Sequence, residues 1–305
     1  MQAPRRDSVD VLVIGGGIAG LTAAWHAAQY GLSVALAEGA IQFGGQVANI
    51  DHIAGFPASP GQSGVGLSTD LMDACREAGV QLVLEAAGKI EIQPQGFRIP
   101  FQGWAQRAGH VILATGGVPR KLGVPGEDRL EGRGISHCAS CDGPLYRGKN
   151  VLVVGGGDAA MQEAVHLAAM AAQVSVLVRD TLRARRNWID RAEACNNIVF
   201  EWDTEIVEII GEGVVQSVRV RDTQSGDERM MDCDGIFPLI GTTPHTSLLP
   251  PGVDLAADGR VITDVALRSS LPRLYAVGAV RAGYDGQVLS AAAEGAAAAR
   301  AIGLA

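Results

Sequence analysis

The sequence is poor in aromatic side chains, at 5%, and has no basic cluster to offset a net charge of −8. An acidic chain without such a cluster makes a poor nucleic-acid binder. Cysteine is scarce, scattered and odd in number: Cys75, Cys138, Cys141, Cys195 and Cys233. That pattern excludes the disulfide framework of a small secreted domain. Residues Val11 to Ala37 lack Asp, Glu, Lys and Arg, which could pass for a membrane span. Three consecutive glycines break the stretch, and His26, Gln29 and Gly31 follow, so it divides into strand, turn, helix and strand. Arg5-Arg6 precedes it, but Asp10 interrupts and no small-residue cleavage site follows, so a signal peptide is not expected. The expectation is a cytoplasmic chain with no membrane segment.

Apolar residues make up 47% of the chain, enough for a packed core. At roughly 100–200 residues per domain, 305 residues suggest two domains. Glycine is abundant, at 40 residues. That density costs conformational entropy unless backbones must approach something closely. The apolar run Asp10–Ile14 predicts a buried parallel strand. Gly15 to Gly20 (GGGIAG) follows, then a helix through about Tyr30 and a second strand, Ser33–Ala37, leading to Glu38. The same unit recurs about 140 residues later. Asn150–Val154 precedes Gly155 to Ala160 (GGGDAA), a helix through about Ala171, and Ser175–Val178. The fold class is therefore α/β, with two Rossmann-like dinucleotide domains.

The glycines of the first turn have separate tasks. Gly15 allows the tight turn, Gly17 lets a pyrophosphate approach the helix N-terminus, and Gly20 lets the helix pack on the strand. Glu38 is placed to accept hydrogen bonds from a free ribose 2′-hydroxyl, which fits the ADP half of FAD or NAD. A plain surface carboxylate at a strand end is the competing reading. The second turn keeps Gly155 and Gly157 but has Ala160 third. In place of the acid it carries Val178-Arg179-Asp180, with Arg183 beyond. Arginines there suit a 2′-phosphate, hence NADPH over NADH. Arg185 and Arg186 extend the charge, so a solvated basic face stands as an equal alternative.

Residues 137–143 read HCASCDG. A C-x-x-C pair lowers one thiol's pKa and can close into a disulfide. Structural zinc would usually need a second pair, and covalent haem would need histidine where Asp142 stands. A redox pair, with no metal, is the expected use. The other three cysteines read as small buried hydrophobes. His137 reads as an exposed loop histidine or, alternatively, as a local base.

On these stretches the chain resembles the low-molecular-weight thioredoxin reductases and, more broadly, the flavin disulfide reductases with two dinucleotide domains. The matching segments run in order: Gly15–Gly20, Gly44-Gly45-Gln46, Ala114-Thr115-Gly116, Cys138–Gly143, Gly155–Ala160, Gly241 and the tail from Tyr275 to Ala301. The resemblance implies an FAD domain built from 1–117 and 247–305, with an NAD(P)H domain inserted at 118–246. It places FAD on Gly15, Gly17, Gly20, Glu38, Gly45, Gln46, Thr115, Gly116, Gly278 and Gln287. It places NADPH on Gly155, Gly157, Ala160, Arg179, Arg183 and Gly241. Electrons would pass from NADPH through FAD to a Cys138–Cys141 disulfide, and on to thioredoxin or another disulfide. Cys141 would face the flavin, Cys138 would attack the substrate, and Asp142 would protonate a leaving thiolate. A homodimer is implied as well.

Three departures accompany the resemblance. Gly278 is followed by Ala279 where the family carries Asp, Gly286 precedes Gln287 where it carries Arg, and its His-Arg-Arg is shortened to Val178-Arg179. Losing a charge-assisted hydrogen bond costs about 1.5–3 kcal/mol if nothing replaces it. Two alternatives follow: an FAD-dependent dithiol oxidase or disulfide reductase using another donor, and a non-enzymatic redox-sensing flavoprotein.

Overall fold

The structure is a computed structural model that describes residues 7–51, 53, 56 and 61–304. The chain folds into two compact units, one made of residues up to Val118 and from Thr243 onward, the other of Pro119–Thr242. The second crossing falls four residues before the expected 246/247 boundary. The reason is local: the His245 N–H donates to Gly116 O and its carbonyl accepts from Thr115 Oγ1, tying this segment to the first unit.

In the first unit, β1 (Ser8–Ile14) is buried over most of its length. Helix α1 (Ile18–Gln29) follows, then β2 (Val34–Glu38), helix α2 (Gly64–Glu77) and β3 (Gln81–Leu84). Ser63 caps α2, its Oγ accepting from the Gly66 N–H at 3.1 Å. Strands β4 (Glu91–Gln93), β5 (Gly96–Phe101) and β6 (Trp104–Leu113) form an antiparallel meander, and β7 (Gly117–Pro119) leads out. The main sheet runs β3-β2-β1-β6-β5-β4. β1 is parallel to both neighbours, with Val13 opposite Leu36 and Ile112.

The second unit opens with two single-turn helices, α3 (Glu127–Leu130) and α4 (Ala139–Asp142). Strand β8 (Asn150–Val154), helix α5 (Asp158–Ala168), β9 (Gln173–Val178), helix α6 (Arg186–Glu193) and β10 (Ile198–Trp202) follow. A meander of β11 (Thr204–Ile210), β12 (Ser217–Asp222) and β13 (Glu228–Asp232) precedes β14 (Gly235–Pro238). Order β10-β9-β8-β14 is wholly parallel, and β11-β12-β13 is antiparallel. Helix α5 ends three residues before the expected Ala171. The residues that follow, Ala169–Ala171, fold back in a turn, with the Met170 and Ala171 N–H groups both on Leu167 O. Phe237 is fully buried in this core, worth about 1.5–3 kcal/mol for a side chain of that kind.

The chain returns along β15 (Thr242–Pro244), adds β16 (Leu274–Ala276) beside β6, and ends in α7 (Val288–Gly303). Helix α7 lies against α1. A Cβ on Gly295 would stand 2.3 Å from Ala19 O, so glycine sets how closely the two helices approach.

Candidate functional site

In the first unit the predicted residues gather at the N-terminus of α1. Gly15 has φ +109°, and a Cβ there would lie 2.2 Å from Ala114 O. This close approach lays the Ala114-Thr115-Gly116 turn beside the glycine turn. A Cβ on Gly20 would sit 1.8 Å from Gly15 O, so the third position accepts only glycine. The helix begins at Gly17 with no side-chain cap and no acid in its first turn. Its leading N–H groups are therefore presented as anion donors. Gly44 donates its N–H to Gly16 O at 2.8 Å, which brings Gly45 and Gln46 to the same place. Gln46 Nε2 donates to Gly117 O at 2.7 Å.

Glu38 closes the turn, accepting the N–H groups of Gly16 and Ala40, each at 2.7 Å. Those two bonds fix the carboxylate and leave it further lone pairs for a ribose. On the other side, Gly278 has φ +71° and its Cβ would be 3.2 Å from the Ala19 methyl. Gln287 starts α7, its carbonyl accepting from the Tyr284 hydroxyl at 2.8 Å. The cradle thus fits the adenosine and pyrophosphate portions of a dinucleotide.

Behind Gly278 lies a half-buried ion pair that sequence reading did not single out. Glu294 Oε2 accepts the Gly278 N–H at 2.7 Å, and Oε1 pairs with Arg281 Nη2 at 2.8 Å. The carboxylate absent at Ala279 is thus present nearby, delivered from α7. A lone acid in the run AAAEGAAAA was the available signal, because a charge on an apolar helix needs a partner.

In the second unit, Gly155, Gly157, Arg179, Arg183 and Gly241 line one cavity of about 590 Å³, together with Arg120, which sequence reading missed. Ala160 is fully buried beside the glycine turn, its methyl within van der Waals range of Gly155, 3.4 Å from where a Cβ on that glycine would stand. Arg185 is held by Asp158 at 2.6 Å, and Arg186 by Asp190 at 2.7 Å. The basic run therefore splits. Arg185 and Arg186 are neutralised, whereas Arg179 and Arg183 have no acidic partner among the described residues. The acids that share the cavity are engaged elsewhere: Asp180 accepts the Thr181 N–H at 2.8 Å and Glu205 pairs with Arg221 at 2.6 Å.

The two units can be superposed on their own hydrogen bonds. Gly15 N–H donates to Ala37 O, and Gly155 N–H to Leu177 O. The residue matching Glu38 is then Val178, which is buried and accepts no hydroxyl.

Cys138 and Cys141 form a disulfide, Cα–Cα 5.4 Å, around the single turn of α4. Cys138 is half-buried and Cys141 exposed. The Cys141 N–H points at Cys138 Sγ at 3.1 Å. Asp142 ends α4, with Oδ2 accepting from the Ser136 hydroxyl at 2.6 Å. Glu163 on α5 accepts the Ala139 N–H at 2.6 Å. His137 is not the exposed loop side chain expected. Its Nε2 lies 3.3 Å from Glu131 Oε1 and its Nδ1 3.3 Å from Pro238 O. Cys75 and Cys233 are buried as expected, and burial pushes each thiol up to about 12. Cys195 departs from that expectation: it sits partly exposed just beyond α6, with Sγ 3.4 Å from Arg191 O. Among the described residues no group of three or more His, Cys, Asp or Glu is arranged to hold a metal ion.

Two dinucleotide folds in one chain, the second carrying a closed C-x-x-C disulfide, define a nucleotide-dependent disulfide oxidoreductase. The chain belongs to the pyridine nucleotide-disulphide oxidoreductase family, whose profile matches residues 9–299. It is 38% identical to a thioredoxin reductase of Treponema pallidum over 96% of this chain and 95% of that one. Its fold matches the crystal structure of T. acidophilum thioredoxin reductase with a TM-score of 0.92 at 29% identity, over 98% and 99% of the two chains. It matches Lactococcus lactis thioredoxin reductase with a TM-score of 0.93 at 32% identity, over 96% and 97%. The protein is thus a flavin-dependent enzyme of the thioredoxin-disulfide-reductase type, with FAD and a pyridine nucleotide as its cofactors.

Proposed function

We propose that this enzyme takes electrons from NADPH, rather than NADH, and delivers them through Cys138 and Cys141 to the disulfide of thioredoxin or a similar small disulfide. The first unit holds FAD on Gly15, Gly17, Gly20, Glu38, Gly45, Gln46, Thr115, Gly116, Gly278 and Gln287. The second holds NADPH on Gly155, Gly157, Arg179, Arg183 and Gly241, above Ala160. FAD, when bound, supplies the two-electron relay between nicotinamide and disulfide. Cys141 is the sulfur that receives electrons, Cys138 attacks the substrate, and Asp142 carries the proton for the leaving thiolate. The family resemblance supports a homodimer in the cytoplasm.

The observation that carries the nucleotide preference is the contrast between the two turns. Where the first has Glu38, the second has buried Val178 and, beyond it, two guanidinium groups with no acidic partner among the described residues. A carboxylate reads a 2′-hydroxyl, whereas arginines read a 2′-phosphate. Arg179→Ala and Arg183→Ala should each raise the KM for NADPH about tenfold while leaving that for NADH nearly unchanged. Equal effects on both nucleotides would mean that the phosphate is not read there. Failure of either nucleotide to reduce the flavin, with reduction by dithiothreitol, would favour a dithiol oxidase or another donor.

A further inference from the structure

We infer that Ser136 is a positioning residue for the proton transfer of disulfide exchange, acting through Asp142; this rests on the roles proposed above for Cys138, Cys141 and Asp142. Helix α4 is one turn of four residues, too short to be stable alone. Its two ends are held from outside. Glu163 takes the Ala139 N–H at its start, and Ser136 takes hold of both Cys138 and Asp142.

The hydroxyl's bonds can be assigned from chemistry. The Cys138 N–H, 3.2 Å away, can only donate, so Ser136 Oγ accepts there. The Asp142 carboxylate accepts, so the hydroxyl donates its one proton to Oδ2, at 2.6 Å. The alternative acceptor, Cys138 O, lies at 3.4 Å and loses that competition. Ser136 is only 6% exposed, so water does not displace these bonds. Its own N–H donates to Ile236 O at 3.0 Å, anchoring it to β14. The serine is thus a fixed post on the sheet, and the carboxylate of a marginal helix is tied to it.

The consequence concerns the other oxygen. Asp142 Oδ1 takes no hydrogen bond from the described residues, so it is the atom left to hold a transferable proton. In exchange, the Cys138 thiolate attacks one sulfur of the substrate disulfide, and that S–S bond breaks. The departing substrate thiolate takes the proton from Oδ1. Cys141, as thiolate, then attacks Cys138 Sγ, breaks the mixed disulfide, expels the second substrate thiolate, which takes its proton from water, and restores the Cys138–Cys141 disulfide. The substrate gains the two electrons that the dithiol loses. Ser136 fixes the direction in which Oδ1 points while the first thiolate leaves.

An alkyl thiolate leaves poorly without a proton, whereas an aryl thiolate, of lower pKa, leaves readily. The test is therefore the ratio of turnover on hydroxyethyl disulfide to turnover on 5,5′-dithiobis(2-nitrobenzoate), measured with the FAD-loaded enzyme. Ser136→Ala and Asp142→Asn should each lower that ratio about tenfold, and Ser136→Thr, which keeps the hydroxyl, should restore it. Thermal melts and flavin content accompany each variant. A ratio unchanged in Ser136→Ala but lowered in Asp142→Asn would overturn the serine's role and leave Asp142 standing. A ratio unchanged in both would overturn the proton-donor reading of Asp142 and the inference with it. Equal losses on both disulfides in Ser136→Ala, without rescue by threonine, would show a merely structural serine.

Discussion

Among single residues, the cysteines divide by surroundings rather than by spacing. Cys138 and Cys141 are joined, Cys75 and Cys233 are buried with thiols pushed up to about 12, and Cys195 is partly exposed. Thiolate, not thiol, reacts with disulfides and alkylating agents, so burial silences the second group. The folded oxidised protein should therefore expose one reactive thiol, Cys195. Dithiothreitol treatment followed by desalting should raise the count to three, and unfolding the reduced protein should give all five. Titration with a chromogenic disulfide, with peptide mapping of the labelled residues, checks this. Rapid labelling of Cys75 or Cys233 in the folded protein would contradict the packing described. The cysteine motif was legible in the sequence because its spacing is local. Ser136, six residues before Asp142, was missed because a serine in a loop carries no pattern of its own. The Arg281–Glu294 pair joins a turn to a helix and is visible only once both are placed.

At the level of elements, the two strand–glycine–helix units show what the glycine pattern does and does not specify. The pattern predicted β1, α1, β2 and β8, α5, β9 to within a few residues, because buried parallel strands and glycine turns leave strong local signals. The meanders β4–β6 and β11–β13 were not anticipated. Their outer strands, β4 and β13, are short and largely exposed, so their sequence resembles ordinary surface loops. The third position of each turn gives a test at this scale. Gly20→Ala would press a methyl onto Gly15 O, 1.8 Å away, and the backbone must move. Overpacking of this kind costs about 1–3 kcal/mol, and the displaced turn should also lose FAD. The reverse change in the second unit, Ala160→Gly, should cost about 1 kcal/mol through helix propensity alone and leave FAD content intact. Urea melts and the flavin-to-protein absorbance ratio separate the two. Equal flavin loss in both variants would mean that the turns are not independent.

For the molecule as a whole, the division into two units follows from where the chain crosses. The expectation of two domains with the second inserted came from the repeat and the resemblance, and the crossings themselves are set by hydrogen bonds such as Thr115 to His245. Stability of the whole carries a signature of two histidines. Burial lowers the pKa of both His26 and His110, and Arg273 lowers that of His110 further. His110 Nδ1 is also buried, with no hydrogen-bond partner among the described residues. A histidine with a lowered folded pKa favours folding while it stays neutral. Its contribution is therefore complete above the unfolded value of about 6.5 and is lost as pH falls below it. The urea midpoint should fall between pH 7.5 and 5.5, and His110→Phe should flatten that fall. A midpoint independent of pH in this window would contradict the assignment. The central claim, that NADPH electrons reach Cys138 and Cys141, has a direct test. The purified FAD-loaded enzyme is mixed anaerobically with NADPH, alkylated, and analysed by peptide mass spectrometry. The account predicts bleaching of the flavin band and new alkylation at both Cys138 and Cys141. Labelling absent from both residues after NADPH, yet present after dithiothreitol, would contradict it.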